Sequence, residues 1–376
     1  MARVVLAMSG GVDSSVAAWL LREQGHDVVG VFMRHGQEQS PLSPSAELCS
    51  AKQGCCTAAD AADARRVADM LGIPFYTINF EREFSRIVDY FITQYTAGRT
   101  PNPCIVCNTW LKFGKLFDYA DQLGAEFVAT GHYARLVSMP DGDIALCRGR
   151  DSSKDQSYVL FGIQRRLLPR LLFPVGEYRK EEIRAIAERL GLRVAAKRDS
   201  QEICFVPDQD HARFIRQRCT TIDTSGEFVL TDGTVVGHHD GFERYTIGQR
   251  KGLRLAFGEP RYVVRIEPDS HRVVIGTHEE LARSELTAGE ANWLAARGER
   301  GEGREEREKP VCLGSSPLSP VQVKIRYRSQ PADATVELLD DGRFRVRFHE
   351  PCYGIAPGQA AVCYQDDRVV GGGWIE

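Results

Sequence analysis

Apolar and polar positions divide the chain into two halves of different rhythm. Val4 to Ala7 is a short apolar run that reads as a buried strand, Val16 to Leu21 follows helical periodicity, and Asp27 to Met33 alternates and then runs apolar as a second strand. Ser9-Gly10-Gly11 therefore falls at the first strand-to-helix turn. Thr57 stands where a helix cap belongs, and Ala61, Ala64, Val67, Ala68 and Leu71 mark one helical face that Gly72 ends. The same reading gives a strand over Ile73–Asn79, a helix over Phe84–Tyr95, a helix over Trp110–Leu123, a strand over Glu126–Thr130, and a helix from Arg179 to Leu190 stopped by Gly191. Strand and helix in turn predict an α/β doubly wound parallel sheet. Arg34 to Cys56 has no period and is rich in Ser, Pro, Gln and Gly, so it is expected to be a loop.

Past about Arg218 the pattern becomes short strands with glycine turns. Glu227–Leu230, Thr234–His238, Tyr262–Glu267 and Arg272–Ile275 have strand character, and Asp232-Gly233 is a hairpin signal. Arg297 to Lys309 mixes acids, bases and glycines as a solvated insertion would. From Val321 a strand is expected with Val321, Val323, Ile325 and Tyr327 on one face and Lys324, Arg326 and Arg328 on the other. Val362–Tyr364 and Arg368–Ile375 close a last hairpin. The division this predicts is an α/β domain over 1–217, a small central β-rich domain over 218–280, and a C-terminal β-rich domain over 281–376.

Composition narrows the class. A chain of 376 residues has room for two or three cores. Its formal charge of -3 supplies no global basic field, so a nucleic-acid partner would need local patches. Eleven cysteines are an odd number, scattered, unlike a secreted disulfide framework. No signal-peptide pattern and no run of about 18 apolar residues stands in the sequence, so a cytoplasmic protein with no membrane partner is expected.

The candidate chemistry begins at Ala7-Met8-Ser9-Gly10-Gly11-Val12-Asp13-Ser14. Adjacent glycines at a helix start let backbone N–H groups approach an anion, and the helix dipole favours negative charge there. Asp13 could hold a magnesium ion or a water. No Lys follows the glycines, so this is not a Walker-type loop, and the spacing is not Gly-x-Gly-x-x-Gly. The competing structural reading is a glycine turn with a helix cap. Cys104-x-x-Cys107 lies behind Pro101 and Pro103 near a helix start, where a thiolate is favoured; two ordinary small buried residues, or a zinc site lacking its second pair, are the alternatives. Gly131-His132 ends a strand beside the presumed nucleotide crevice. Cys204 sits between Ile203 and Phe205, which by itself reads as core. Lys324, Arg326 and Arg328 form either a phosphate-tracking stripe or a charged strand edge.

The loop resembles the pyrophosphatase loop of ATP-dependent adenylating enzymes. Together with Gly98-Arg99-Thr100-Pro101-Asn102-Pro103 and Cys107-Asn108, Ala129-Thr130-Gly131-His132-Tyr133, Lys154-Asp155-Gln156-Ser157-Tyr158, Asp199-Ser200-Gln201-Glu202-Ile203-Cys204-Phe205, Tyr245 to Leu253 and Lys324-Ile325-Arg326-Tyr327-Arg328, it resembles bacterial tRNA-specific 2-thiouridylases over nearly the whole chain. The resemblance implies an adenine-nucleotide α-hydrolase-like sheet, a barrel-like last domain, and replacement of the 2-oxygen of the wobble uridine in Lys, Glu and Gln tRNAs by sulfur. It implies ATP, with magnesium, at Ala7, Met8, Ser9, Gly10, Gly11, Val12, Asp13, Ser14, Met33 and Gly131. It implies tRNA contacts at Asn102, Pro103, Cys104, His132, Lys154, Asp155, Gln156, Arg326, Tyr327 and Gln359. Cys204 would carry a persulfide from a sulfur-relay protein or cysteine desulfurase, and Cys107 would be its partner thiol. One departure stands out, because many relatives have Asp where this chain has Cys104. Cys104, Cys107 and Cys204 could thus ligate a [4Fe–4S] cluster instead. A small-molecule adenylating synthetase or amidotransferase, needing neither Cys107 nor Cys204, is a rival enzyme reading, and an RNA-binding protein with a vestigial nucleotide site is a rival from another class.

Overall fold

The computed structural model describes residues 1–35, 57–197, 199, 203–206, 210–219, 223–295 and 318–376. The loop expected over Arg34–Cys56, from residue 36 on, and the insertion expected over Arg297–Lys309 lie outside them. The chain forms two compact units: residues 1–93, 103–137 and 146–222 make one, and 94–102, 138–145 and 223–376 the other.

In the first unit, β1 (Arg3–Ala7), α1 (Val12–Glu23), β2 (Asp27–Arg34), α2 (Ala58–Leu71), β3 (Phe75–Asn79) and α3 (Glu81–Thr96) alternate as expected. Thr57 caps α2 reciprocally: its hydroxyl accepts from Asp60 N at 3.1 Å while its own N donates to the Asp60 carboxylate at 2.9 Å. Next come α4 (Pro103–Val106), a π-helical segment (Cys107–Lys115), α5 (Leu116–Gln122), β4 (Phe127–Ala129), the hairpin strands β5 (Ala134–Ser138) and β6 (Ile144–Arg148), β7 (Leu171–Leu172), α6 (Lys180–Arg189) and α7 (His211–Arg218). The sheet has the order β3-β2-β1-β4-β7 and is parallel throughout. Its centre is buried on both faces: Val4, Leu6, Val16, Leu21, Phe32, Ile183 and Ala187 share one core, and Val5 and Val31, which point the other way, are also wholly buried.

The register fixes where a ligand can sit. Ala7 pairs with Val31 and Leu6 with Ala129. Met8 to Gly11, Met33 and Thr130-Gly131 consequently emerge at one carboxyl edge, between the strands where the order turns back, the usual place for a ligand in an open sheet.

The second unit holds a four-stranded sheet of β8 (Gly226–Leu230), β9 (Val235–His239), β10 (Tyr262–Glu267) and β11 (Arg272–Gly276), ordered β10-β11-β8-β9 around Phe228, Phe242, Val263 and Val273. It also holds a barrel. β12 (Ala282–Trp293), β15 (Phe344–Tyr353), β14 (Ala332–Leu338), β13 (Leu318–Lys324), β16 (Ala360–Gln365) and β17 (Arg368–Ile375) pair in that order, and β12 closes on β17. Closure removes free edges and packs Val321, Val323, Val336, Phe344 and Val346 inside.

The strand expected from Val321 through Arg328 ends at Lys324. Arg326 and Tyr327 lie beyond it in a turn, so the alternation of faces stops there: Tyr327 is exposed and Lys324 is buried, the reverse of the expected sides.

Candidate active site

The loop after β1 leaves the start of α1 open. Gly11 is the residue before the helix and supplies no side-chain cap, so the first-turn N–H groups keep their capacity for an anion. The serines are spent on shaping the turn: Ser14 Oγ donates to Gly11 O at 3.2 Å and accepts from Ser9 N at 3.2 Å, and Ser15 Oγ donates to Gly11 O at 2.8 Å. Gly10 has φ +70, and a Cβ there would come 2.2 Å from Asp60 O. Only glycine fits. At the neighbouring strand end, a Cβ on Gly131 would lie 2.8 Å from Ser14 N, so the bare backbone of this residue lets β4 reach the mouth of α1.

A charged network surrounds Asp13. Lys180, the first residue of α6 and only 7% exposed, places its ammonium 2.8 and 2.9 Å from the two Asp13 oxygens. The same ammonium is 2.8 Å from Asp199. Tyr133 donates its hydroxyl to Asp13 at 2.7 Å; burial, then the negative charge of Asp13, raises its pKa and keeps the phenol protonated. Asp199 has further cationic partners in Lys154 at 2.7 Å and Arg184 at 3.0 Å. Burial pushes the Asp199 carboxyl up, but the bonds from Lys154 and Lys180 more than offset it and hold the group below its ordinary range. A second lysine ties the loop to α2: Lys197 Nζ donates to Gly10 O at 2.9 Å, Asp60 at 2.6 Å and Asp63 at 2.9 Å.

The thiols lie on other elements of this unit. Pro103 opens α4, where its missing N–H costs nothing, so Cys104 falls in the first turn and is exposed while Cys107, half-buried, begins the π-helical segment. Periodicity alone suggested an ordinary helix over Trp110–Leu123; the wider bonding, such as Leu116 N to Leu111 O, is a feature that short π segments often bring to functional sites. Asn108, next to Cys107, is buried and donates to Val159 O at 3.0 Å. Lys112 Nζ approaches His132 Nε2 at 3.5 Å, and His132 Nδ1 lies 2.6 Å from the Thr130 hydroxyl. Burial, with the charge of Lys112 added, lowers the His132 pKa well below the ordinary value, so its imidazole is neutral.

Cys204 is half-buried in a short turn closed by Val206 N to Ile203 O at 3.0 Å. The neighbouring Phe205 is half-buried, its ring edge-on to Phe84 and Phe91 of α3 and tilted against Phe214 of α7, with centroids 5.6, 5.1 and 5.4 Å away. The apolar run thus buries Val206 and leaves both the Phe205 ring and the thiol half-buried. Among the described residues, no group of three or more His, Cys, Asp or Glu side chains is placed to hold a metal ion.

The remaining candidates have defined partners within their own units. Asp155 accepts from Gly149 N, Ser157 N and Ser157 Oγ, and so builds its turn. Gln156 accepts from Tyr133 N at 2.9 Å and donates its own N to Tyr133 O at 2.8 Å, fixing the Gly131-His132-Tyr133 segment. In the second unit, Gln359 Nε2 donates to Thr100 O at 3.0 Å and Pro101 O at 3.2 Å, just before Asn102. Arg326 donates to Ile247 O at 2.6 Å and Gly354 O at 2.9 Å, and Tyr327 is exposed beside it. Sequence reading missed Tyr133, Lys180, Lys197, Asp60 and the role of Asp199. Asp199 opens one of the recognised motifs and Lys180 begins an expected helix, but nothing local joins them to Asp13.

The chain matches three family models: the tRNA methyl transferase HUP domain over residues 2–208, the tRNA methyl transferase PRC-barrel domain over 212–277, and the aminomethyltransferase beta-barrel domain over 283–375. It is 51% identical to a tRNA-specific 2-thiouridylase of Rhodopirellula baltica, covering 100% of this chain and 96% of that protein. It is also 46% identical to a tRNA-specific 2-thiouridylase of Geobacter metallireducens, covering 100% of this chain and 96% of that one. Among solved structures, a 4-thiouridine synthetase–RNA complex with bound ATP is 17% identical, covers 58% of this chain and 50% of that one, and has a TM-score of 0.35, too distant a likeness to inform the site.

Proposed function

The chain belongs to the tRNA-specific 2-thiouridylase family, and from that premise we propose that it uses ATP to place sulfur on C2 of the wobble uridine of Lys, Glu and Gln tRNAs. Identity of 51% along the full chain carries this reading. The open start of α1 at the carboxyl edge of the sheet supports its ATP half.

The uridine C2 oxygen attacks the α-phosphorus of ATP, and pyrophosphate departs. Adenylation matters because a pyrimidine oxygen leaves poorly, whereas AMP leaves readily. The α1 N–H groups, Ser9 to Ser14 and Gly131 bind the phosphates, and Met33 lies at the same sheet edge. Asp13 is the loop carboxylate that would hold magnesium, an oxygen donor of the kind this ion uses, and the ion would supply charge neutralisation. The terminal sulfur of a Cys204 persulfide then attacks C2 and displaces AMP. Cys107 thiolate attacks the Cys204 sulfur of the resulting C2–S–S link, the electron pair stays on the C2-bound sulfur, and a Cys107–Cys204 disulfide forms. If Cys107 attacks first, hydrosulfide leaves and becomes the nucleophile at C2; the same disulfide results, and a thiol reductant must reopen it. The persulfide comes from a sulfur-relay protein or a cysteine desulfurase. Asn102 to Cys104, His132, Lys154 to Gln156, Arg326, Tyr327 and Gln359 are proposed to meet the tRNA, with the target base turned out of its stack.

The test is mass analysis of tRNA thiolated by Cys107→Ser and Cys204→Ser, together with pyrophosphate release. Both variants are expected to lose thiolation while still releasing pyrophosphate in the presence of tRNA. Full thiolation by either would overturn the assigned roles. Protein purified without oxygen is expected to be active and free of iron; stoichiometric iron and sulfide would replace the persulfide route by a cluster on Cys104, Cys107 and Cys204.

A further inference from the structure

Lys180 is shared by two carboxylates that belong to different segments. Its ammonium contacts Asp13 in the nucleotide loop at 2.8 Å and Asp199 at 2.8 Å, while being 7% exposed at the start of α6. The two ends of this bridge are not equally dependent on it. Asp199 also has Lys154 at 2.7 Å and Arg184 at 3.0 Å, whereas Asp13, among the described residues, has the neutral Tyr133 hydroxyl at 2.7 Å as its other side-chain partner. If Lys180 leaves Asp199, two charged partners remain there; if it leaves Asp13, a carboxylate is exposed beside the phosphate site. The backbone N of Lys180 is anchored to Asp151 at 2.9 Å, so the base of the side chain stays fixed while its end can swing.

We propose that Lys180 is a phosphate-responsive positioning residue: when ATP binds, its ammonium keeps Asp13 and exchanges Asp199 for a phosphate oxygen. The proposal rests on the nucleotide reading of the loop and adds a residue to it. A polyphosphate entering next to Asp13 meets a like charge, and this ammonium, already within 3 Å of that carboxylate, is the cation placed to offset the repulsion. Asp199 therefore competes with the nucleotide for one ammonium, and each weakens the hold of the other by the same factor.

Binding of the α,β-methylene analogue of ATP, with Mg2+, measured by calorimetry on the full chain, decides it. Wild type is expected to bind; absence of binding would sink the nucleotide reading itself and is thereby distinguishable from failure of the exchange. Asp199→Asn removes the competitor and is expected to tighten binding about fivefold or more. Unchanged or weaker binding by Asp199→Asn would overturn the exchange. Because that substitution also unmasks Lys154 and Arg184, the double variant Lys180→Met with Asp199→Asn completes the cycle. The gain should vanish in the double variant relative to Lys180→Met alone; a gain that persists assigns it to Lys154 and Arg184 and refutes the role of Lys180. Should Lys180→Met not fold, Lys180→Ala in the same cycle with circular dichroism as a folding control gives the same decision.

Discussion

Gly131 shows how a single missing carbon can shape this site. A Cβ there would lie 2.8 Å from Ser14 N and 3.0 Å from Asp13 C, both backbone atoms that cannot swing aside. Gly131→Ala should therefore push β4 and the head of α1 apart and disturb the N–H groups proposed to hold phosphate. The expected outcome is a loss of ATP-dependent AMP release of about a hundredfold, the scale that a 1 Å misplacement produces, with the circular dichroism spectrum retained; near wild-type AMP release would show that this approach is not needed. At the same scale lies most of what the sequence concealed. The loop was legible because its chemistry is contiguous, from Ala7 to Ser14. Its partners were not, since Lys180 meets Asp13 across 167 residues and Lys197 meets Gly10 across 187. No periodicity encodes such a pairing, and an ion pair leaves no local signature comparable to a glycine turn.

At the scale of elements, burial accounts both for what was legible and for what was not. Strands β1 and β2 and helix α2 were readable because each presents an unbroken apolar run or a clear face to a core. β7, two residues long, was below any periodic signal, and the π-helical bonding from Cys107 to Lys115 follows from packing rather than composition. The turn at Cys204 is the instructive case, since an apolar neighbourhood suggested a buried cysteine. Val206 is instead the buried residue of the run, Phe205 is half-buried with its ring against Phe84, Phe91 and Phe214, and the thiol is half-buried beside it. Phe205→Ala should cost about 1 to 2 kcal/mol of stability by removing the ring contacts of a half-buried side chain. Its functional signature should be a fall in thiolation of about tenfold or more with pyrophosphate release little changed, because the seat of Cys204 is loosened while the loop after β1 is untouched. An equal fall in both activities would place the effect on the whole unit and count against Phe205 as the anchor.

At the scale of the whole molecule, the residues proposed for nucleotide binding and the thiols Cys104, Cys107 and Cys204 share one compact unit. Asp13, Gly131, Tyr133, Lys180, Lys197 and Asp199 all fall within the first compact unit. Residues 94–102 belong to the second, where Gln359 Nε2 holds the carbonyls of Thr100 and Pro101, Pro357 O accepts from Thr100 N at 2.8 Å, and Gly358 leaves room for the Thr100 carbonyl. We propose modules over 1–217, 218–280 and 281–376, and this wiring predicts what a cut between the first two would do. A fragment of residues 1–217 keeps Tyr133, Lys154, Arg184 and Asp199 around Asp13 and Lys180, so it should bind the ATP analogue within about tenfold of the full chain. The Thr100-Pro101 stretch leading into Pro103 and Cys104 would lose its polar partners, each such loss costing about 1–3 kcal/mol where the group stays buried. The fragment should therefore have a lower thermal midpoint and should not thiolate tRNA. With a net charge of -3 for the whole chain, tRNA affinity must come from local patches. Titration across salt should show the fragment with a shallower slope than the full chain, by about one unit for every phosphate it no longer neutralises. Thiolation by the fragment at the full rate, or an unchanged salt slope, would confine tRNA recognition to the first module and refute this division of labour.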